Sequence, residues 1–376
     1  MNGNIRIGTL FGIPFYVNFS WFLVLALVTL EFGRELAVVS SLGGLLPLIL
    51  GFIAALLLFA SVLAHELGHS LVAIRQGIEV KSITLFIFGG LAMLDKESET
   101  PGQSFWVAIA GPAVSLVLFG IFLFVGVNVP LPSAIGLIVA LLAQINLILA
   151  MFNLLPGLPL DGGNILKAAV WKITGNPNKG VLFASRVGQV FGWLAIAIGA
   201  LAVLNLSPYG SFWTLFIGLF LLQNAGFSAQ TAIVQDKLDG LTAEDAVIPN
   251  SPVVSGDLTL REFVNDYVIG QPQWRKFLVT DEAGQLAGTI SPDDLKEIAT
   301  SLWTETRVRE LAKPIEEATT VRADRSLLDA VKLIESKQLQ QLPVIGEDGA
   351  VLGLLEKSSI RRLLEKENGE IQKAMQ

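Results

Sequence analysis

The sequence contains no cysteine and only two histidines among its 376 residues. Disulfide bonds and thiolate-bound metals are therefore excluded, and a metal site would need imidazole and oxygen ligands. Charged residues are also scarce, at 16% of the chain against 52% hydrophobic residues. Soluble domains usually contain about 25% charged residues. The composition therefore indicates an integral membrane protein.

Two further features of the sequence argue against a nucleic-acid partner and against a cleaved signal peptide. The net charge of −7 argues against nucleic acid as a partner, because a nucleic-acid surface needs clustered Lys and Arg. The N-terminus has no short apolar core followed by a small-residue cleavage site. We therefore expect no cleaved signal peptide.

Long apolar runs dominate the first two thirds of the chain, and a membrane-spanning helix needs about 20 such residues. They predict a polytopic α-helical membrane domain with about six transmembrane helices, at about 18–32, 47–75, 104–127, 134–155, 181–205 and 211–229. From Asp236 onward the sequence is charged and mixed. We expect a transmembrane domain over residues 1–235 and a soluble domain over residues 236–376.

The distribution of Lys and Arg predicts the orientation in the membrane. The connections at 76–103 and 162–180 carry several lysines, whereas those at 127–133 and 205–211 carry no charge. Basic short loops face the cytoplasm. With an even number of spans, both termini and the soluble domain are expected on the cytoplasmic side of the cell membrane. Arg34 is the exception, because this topology leaves it outside.

Both histidines lie in one apolar span, in the stretch "SVLAHELGHSLVAI". His65 and His69 are four residues apart, so on a helix they share a face and can hold a single Zn²⁺. Glu66, the next residue, can act as general base toward a water at the metal. Ionisable groups in a membrane span indicate a functional site. The alternative is a set of structural side chains that satisfy one another without metal.

A tetrahedral catalytic zinc site has a third protein ligand, which here must be a carboxylate. The candidate is Asp161 in "FNLLPGLPLDGGN", where Pro156 and Pro159 interrupt the helix. Such backbone is tolerated at membrane depth only where it is buried in protein or lines a wet cavity. The second and fourth predicted spans cross the membrane in the same direction. The histidine motif and the Asp161 motif should therefore lie at a similar depth in the membrane. The alternative for Asp161 is a turn or helix-capping role.

Four motifs together resemble the site-2 protease family of intramembrane zinc metalloproteases, over roughly residues 1 to 230. They are "HELGH", "FGGLAML", "AIAGPAVS" and "NLLPGLPLDGGN". The resemblance implies hydrolysis of peptide bonds within the membrane. Its expected substrates are membrane proteins of the single-span type, such as anchors of transcriptional regulators.

The resemblance also implies roles for individual residues. His65, His69 and Asp161 would bind one Zn²⁺, and Glu66 would be the catalytic base. Asn153, the first residue of the second motif, would lie near the substrate or the developing oxyanion. From physical chemistry alone, Asn153 is equally well explained by a hydrogen bond between helices.

The segment 79–94, "EVKSITLFIFGGLAML", is rich in residues that favour β-strands. Because a peptide bond in an intact helix is shielded, a substrate must be unwound or bound as an extended strand. The segment could offer a sheet edge to such a strand. Alternatively, it forms a hairpin that only covers the cavity.

The soluble domain contains an internal repeat, since "FLVTDEAGQLAGTI" at 277–290 aligns with "LPVIGEDGAVLGLL" at 342–355. Each copy predicts a strand, an acidic glycine turn and a second strand followed by a helix. The pair resembles tandem cystathionine-β-synthase (CBS) domains, with an α/β fold and repeats at about 241–300 and 305–368. This resemblance implies adenine nucleotide binding and a possible homodimer through these domains.

The first repeat keeps the family's Ser/Thr-x-x-Asp element as Ser291 and Asp294. The implied contacts are hydroxyl to phosphate and carboxylate to ribose. The second repeat has Glu356 and Ser359 at those positions, which departs from the pattern. The alternative is a ligand-free module for dimerisation or docking.

Two classes of function follow from these features. The first is an intramembrane protease regulated by its CBS domains. The second is a zinc-binding membrane transport or binding protein with a nucleotide-sensing domain. A carrier does not need a general base beside its metal ligands, so Glu66 favours the protease.

Overall fold

The computed structural model describes residues 4–39, 43–87, 89–248, 251–269, 274, 276–314 and 319–364. The chain divides into two compact units, Met1–Ile233 and Val234–Gln376. This division falls within α7 (Phe212–Leu238), and the predicted boundary near residue 235 lies in the same helix.

Among the described residues, helices form most of the first unit. Those before α7 are α1 (Phe19–Ala37), α2 (Leu46–Arg75), α3 (Pro101–Asn128), α4 (Ser133–Asn153), α5 (Asp161–Thr174) and α6 (Pro177–Val203). The helix α5 was not predicted, because the sequence there was assigned to a basic loop. It ends at Gly175, whose φ of +73° gives the left-handed cap that commonly terminates a helix.

Five described helices, α2, α3, α4, α6 and α7, are long and apolar enough to cross a membrane. The sequence analysis predicted about six. The difference is α1, which has 19 residues and carries Glu31, Arg34 and Glu35 toward its end. These three charges make the end of α1 less apolar than the other five helices.

The first unit also contains a four-stranded sheet, of which the sequence analysis predicted only half. Its strands, in spatial order, are β1 (Asn4–Leu10), β2 (Ile13–Asn18), β3 (Val80–Phe86) and β4 (Gly89–Leu94). The outer pairs are antiparallel, and β2 and β3 are parallel. The strands β3 and β4 confirm the β-structure predicted for segment 79–94. The strand β4 lies at one edge of this sheet.

The sheet packs against α2 through a buried apolar cluster. Its members come from β2, α2, the turn after α2 and β3: Ile13, Leu67, Ala73, Ile78, Val80 and Ile83. On another face, α2 packs against α1 and α4, where Leu36, Ala54 and Leu142 are buried together. The helix that carries the histidines is therefore held by a sheet and by neighbouring helices.

The second unit contains two three-stranded sheets with the same topology. The first has β5 (Val253–Ser255), β6 (Phe277–Thr280) and β7 (Leu286–Ile290), and the second has β8 (Val321–Arg322), β9 (Gln341–Ile345) and β10 (Val351–Glu356). In each, the first two strands are parallel and the last two antiparallel. Its helices include α8 (Leu260–Phe263), α9 (Val308–Leu311) and α10 (Leu327–Ser336).

This matching topology confirms the predicted internal repeat. Residues 365–368 of the second predicted copy lie outside the described residues. The two copies pack on each other through a cluster that contains Ile248, Leu278 and Leu354. The turn of one copy also contacts the turn of the other, because the Gln285 side-chain amide donates to the Asp348 carbonyl at 3.1 Å.

Candidate metal centre

The two histidines lie one turn apart on α2, as the sequence predicts. Their Nε2 atoms are 3.3 Å apart. His65 is buried, with 3% of its surface exposed. A helix that is packed on two sides thus presents two imidazole nitrogens toward one point.

Asp161 is brought to the same point by the break between α4 and α5. The connecting segment is fixed against α6 by a hydrogen bond from the Leu158 amide to the Ala184 carbonyl, at 3.1 Å. Asp161 then begins α5, with Oδ2 at 3.1 Å from His65 Nε2 and 3.3 Å from His69 Nε2. The three side chains could hold a metal ion.

The outer ring nitrogens of both histidines have partners on α3. His65 Nδ1 lies 2.9 Å from Ser115 Oγ, and His69 Nδ1 lies 2.7 Å from the Val107 carbonyl oxygen. A carbonyl can only accept, so His69 Nδ1 is the donor, and in the neutral ring Nε2 keeps its lone pair. Metal-bound histidines are oriented by this kind of contact.

The donor set and the space in front of it both fit zinc. Tetrahedral coordination at about 2.0–2.1 Å places ligand atoms roughly 3.3–3.4 Å apart, close to the 3.1 and 3.3 Å separations found here. A Cβ on Gly111 of α3 would lie 2.2 Å from His69 Nε2 and 2.6 Å from His65 Nε2. The glycine therefore keeps open the space that an ion would need.

Glu66 lies beside this triangle, within electrostatic reach of His65, His69 and Asp161. The edge strand β4 passes directly over it. A Cβ on Gly90 would lie 2.3 Å from Glu66 Cγ and 2.9 Å from Oε1. The backbone of β4 therefore approaches the Glu66 side chain so closely that position 90 has room only for a glycine.

Asn153 is the last residue of α4. Its side-chain amide donates to the Leu149 carbonyl of the same helix at 3.1 Å. The structure brings together His65, Glu66, His69 and Asp161, whereas Asn153 is satisfied within its own helix. A role for Asn153 at the substrate stays a prediction.

The sequence analysis missed the residues that support the site: Gly90, Val107, Gly111 and Ser115. The available signal was in "AIAGPAVS", where Gly111 and Ser115 are four residues apart and share one face of α3. A glycine and a serine on one face of an apolar helix indicate a close approach of a neighbour. The sequence does not show that this neighbour is the pair of histidines.

Ser291 and Asp294 meet just after β7 in the first repeat. The backbone amide and the hydroxyl of Ser291 both donate to Asp294 Oδ2 at 2.7 Å, and Lys313 Nζ pairs with Oδ1. Desolvation raises the pKa of Asp294, but the hydrogen bonds from Lys313 and Ser291 outweigh it and hold that pKa below its ordinary value. Asp294 is therefore ionised at neutral pH.

A cavity of about 530 Å³ opens beside this carboxylate. This volume lies in the range of about 300–1,000 Å³ that small-molecule sites occupy. Both repeats contribute to its wall, including Lys276, Leu278, Ser291, Asp294, Lys313, Leu339, Gln341, Pro343 and Leu354. Apolar side chains suited to a flat ring thus lie near charged groups suited to a sugar phosphate.

The second repeat has no carboxylate at the position that corresponds to Asp294. Ser359 stands there, and its Oγ donates to the Ala246 carbonyl at 2.7 Å. The departure from the family pattern at Glu356 and Ser359 therefore leaves this position with a hydroxyl that is bonded to the protein backbone.

Apolar helices long enough to cross a membrane, with a largely buried His–His–Asp triangle and a glutamate beside it, define a membrane metallopeptidase. The model of Peptidase family M50 matches residues 53–138 and 130–195, and the CBS domain model matches residues 308–366. A zinc metalloprotease by name, sll0528 of Synechocystis, is 60% identical over 97% of this chain and 96% of its own length. The chain belongs to Peptidase family M50, the site-2 protease family.

Two further proteins are similar to this chain. Rip3 of Mycobacterium tuberculosis, also named a zinc metalloprotease, is 31% identical over 97% of this chain and 94% of its own length. The site-2 protease structure from Methanocaldococcus jannaschii aligns at 28% identity with a TM-score of 0.43, over 60% of this chain and 95% of that one.

Proposed function

We propose that this metallopeptidase hydrolyses peptide bonds within or near transmembrane segments, with one Zn²⁺ held by His65, His69 and Asp161. The observation that carries the proposal is the donor triangle beside Glu66, with Gly111 leaving space in front of it. Zinc bound there would supply an activated water and polarise the scissile carbonyl.

The remaining chemistry belongs to side chains of this protein. Glu66 accepts a proton from the attacking water and delivers it to the leaving amine. Val107 and Ser115 hold the two imidazoles in the orientation that points Nε2 toward Asp161. Glu66 is thus the catalytic residue, and Ser115 is a positioning residue.

The edge strand β4 is the proposed site for the substrate. In a helix the carbonyl of each peptide bond is hydrogen-bonded, so the cleaved segment must become extended. An extended segment that pairs with β4 would run alongside Gly90, next to the Glu66 carboxylate. Single-span proteins suit such a site, because a lone helix has no tertiary contacts to break before it unwinds.

We further propose that α1 crosses the membrane beside α2 as a sixth span, so that both termini and the CBS domains face the cytoplasm, with the protein in the cell membrane. The support for this crossing is that β2, directly before α1, pairs with β3, directly after α2. The support for the orientation is the run of lysines Lys167, Lys172 and Lys179 in and after α5, which contrasts with the uncharged connection from Val129 to Pro132.

Asp161→Ala is expected to lower zinc content sharply, because only two imidazoles would remain. Cleavage of a panel of single-span membrane proteins by the purified full chain should fall with it. Metal analysis and a gel-based cleavage assay measure the two effects. A turn-capping aspartate would instead lower stability and leave zinc content unchanged.

The matched control is Asp95→Ala, which removes a half-exposed carboxylate paired with Lys81 at 2.5 Å. Zinc content and cleavage should match the wild type. Equal zinc in Asp161→Ala and wild type would refute the ligand set. Normal zinc in the wild type without cleavage of any panel member would argue against the proteolytic proposal instead.

We also infer that an adenine nucleotide binds the cavity beside Asp294, mainly through the first repeat, and modulates proteolysis. The ionised Asp294, the lysines and the apolar wall support this inference. A ligand shifts a conformational equilibrium only by its differential affinity, typically about 5- to 150-fold, so a modest effect on rate is expected. A homodimer through the CBS domains stays a prediction.

Asp294→Ala is expected to abolish nucleotide binding, because the acceptor proposed for the ribose hydroxyls is lost. Calorimetric titration of the detergent-purified full chain with ATP, ADP and AMP measures it. Asp293→Ala is the control, since that neighbouring carboxylate is 83% exposed and pairs with Lys296. Identical titrations for Asp294→Ala and wild type would leave the repeats as a docking or dimerisation module.

A further inference from the structure

The carboxylate proposed to bind ribose is already fully engaged by the protein. Ser291 donates twice to Asp294 Oδ2, and the Lys313 ammonium pairs with Oδ1. Only 12% of the Asp294 side chain is exposed. A sugar hydroxyl can therefore reach this carboxylate only if the Lys313 ammonium moves away.

The surroundings of Lys313 allow its ammonium group to move while its backbone stays in place. Its backbone is fixed by reciprocal hydrogen bonds with Thr289 on β7, at 2.8 and 2.9 Å. Its side chain is 69% exposed, so water can solvate the ammonium when it leaves Asp294, while a sugar hydroxyl replaces it as donor to the carboxylate. The ammonium can therefore swing on its four-carbon stem while the wall of the cavity stays in place.

The charges of the cavity indicate where the ammonium would go. Among the described lining residues, the charged ones are Lys276, Lys313 and Asp294. Once a sugar hydroxyl occupies Asp294, two cations face the cavity. A phosphate group, which accepts charge-assisted hydrogen bonds, would then be their natural partner.

We propose that Lys313 exchanges partners when a nucleotide binds. It pairs with Asp294 before binding, and with the phosphate of the nucleotide afterwards. The cavity thereby selects nucleoside phosphates over nucleosides, because only a phosphate compensates the displaced ammonium. This inference rests on the proposed nucleotide binding at the first repeat. It adds a specificity-determining residue outside the Ser-x-x-Asp element.

The test compares AMP, ATP and adenosine by calorimetry on the full-length protein in detergent. In Lys313→Met, which keeps the stem and removes the charge, the affinity for AMP should fall by about ten- to a hundredfold. The affinity for adenosine should stay equal or rise, because Asp294 loses its competitor. Lys313→Arg should restore most of the preference for AMP.

Lys296→Met is the matched control, since Lys296 is 78% exposed and pairs with Asp293 outside the cavity wall. Its ratio of AMP to adenosine affinity should equal that of the wild type. An unchanged ratio in Lys313→Met, with nucleotide still bound, would overturn the exchange and leave nucleotide binding intact. Absence of binding by AMP, ATP and adenosine in the wild type would overturn both.

Discussion

Glu66→Gln is expected to abolish peptide hydrolysis and to leave zinc content at the wild-type level. The amide has the shape of the carboxylate but cannot accept the proton of the attacking water, whereas His65, His69 and Asp161 stay unchanged. Loss of a general base costs roughly 10²- to 10⁴-fold in rate. Metal analysis and cleavage of single-span membrane proteins by the purified full chain measure the two quantities.

A matched control for this variant is Glu99→Gln. Glu99 is exposed and pairs with Lys96 at 2.7 Å, ahead of α3 and away from the triangle. Its cleavage rate should equal that of the wild type. Full activity in Glu66→Gln would remove Glu66 from the mechanism. Reduced zinc in that variant would instead indicate that Glu66 supports the metal site.

The candidate metal ligands could be picked out in the sequence because the membrane makes ionisable side chains expensive. His65, Glu66 and His69 stand out in an apolar helix, and the prolines before Asp161 mark a break at the end of a later span. The structure brings His65, His69 and Asp161 within hydrogen-bond distance of one another. The sequence analysis could not show which groups orient the imidazoles, since Val107 acts through its carbonyl and any residue has one.

The strands β1 and β2 form a local antiparallel hairpin that was not predicted. The apolar residues of this segment merge in sequence with those of α1, so they were assigned to the approach to a span. The pairing of β2 with β3 is not local, because α1 and α2 lie between the two strands in sequence. By contrast, the repeat in the second unit was found because the same strand and turn pattern occurs twice in the sequence.

The shape of the metal centre depends on residues that have no functional group. Gly111 allows the backbone of α3 to lie against His65 and His69, and Gly90 allows the backbone of β4 to lie against Glu66. A sequence pattern cannot tell such a glycine from one that faces lipid. Gly120 on the same helix is an example, since a Cβ there would meet no heavy atom within 4 Å.

The close contact of Gly111 with the two histidines gives a prediction about zinc affinity. In Gly111→Ala the new methyl group would lie 2.2 Å from His69 Nε2 and 2.6 Å from His65 Nε2. Either the imidazoles or α3 must shift, and both shifts disturb the space in front of the ligands. Zinc affinity is expected to fall by about 10- to 100-fold, and cleavage should fall with it. Zinc titration and the cleavage assay measure these effects.

Gly120→Ala separates this effect from a general effect on α3. Alanine favours a helix over glycine by about 1 kcal/mol, so propensity alone would leave both variants as stable as the wild type or more so. We expect Gly120→Ala to bind zinc and cleave normally, and Gly111→Ala to keep its gel-filtration profile while losing metal. If Gly111→Ala bound zinc like the wild type, the space in front of the two histidines would not be the metal position. If Gly111→Ala aggregated on gel filtration while its folded fraction bound zinc like the wild type, Gly111 would serve the packing of α3 against α2 and not the metal position.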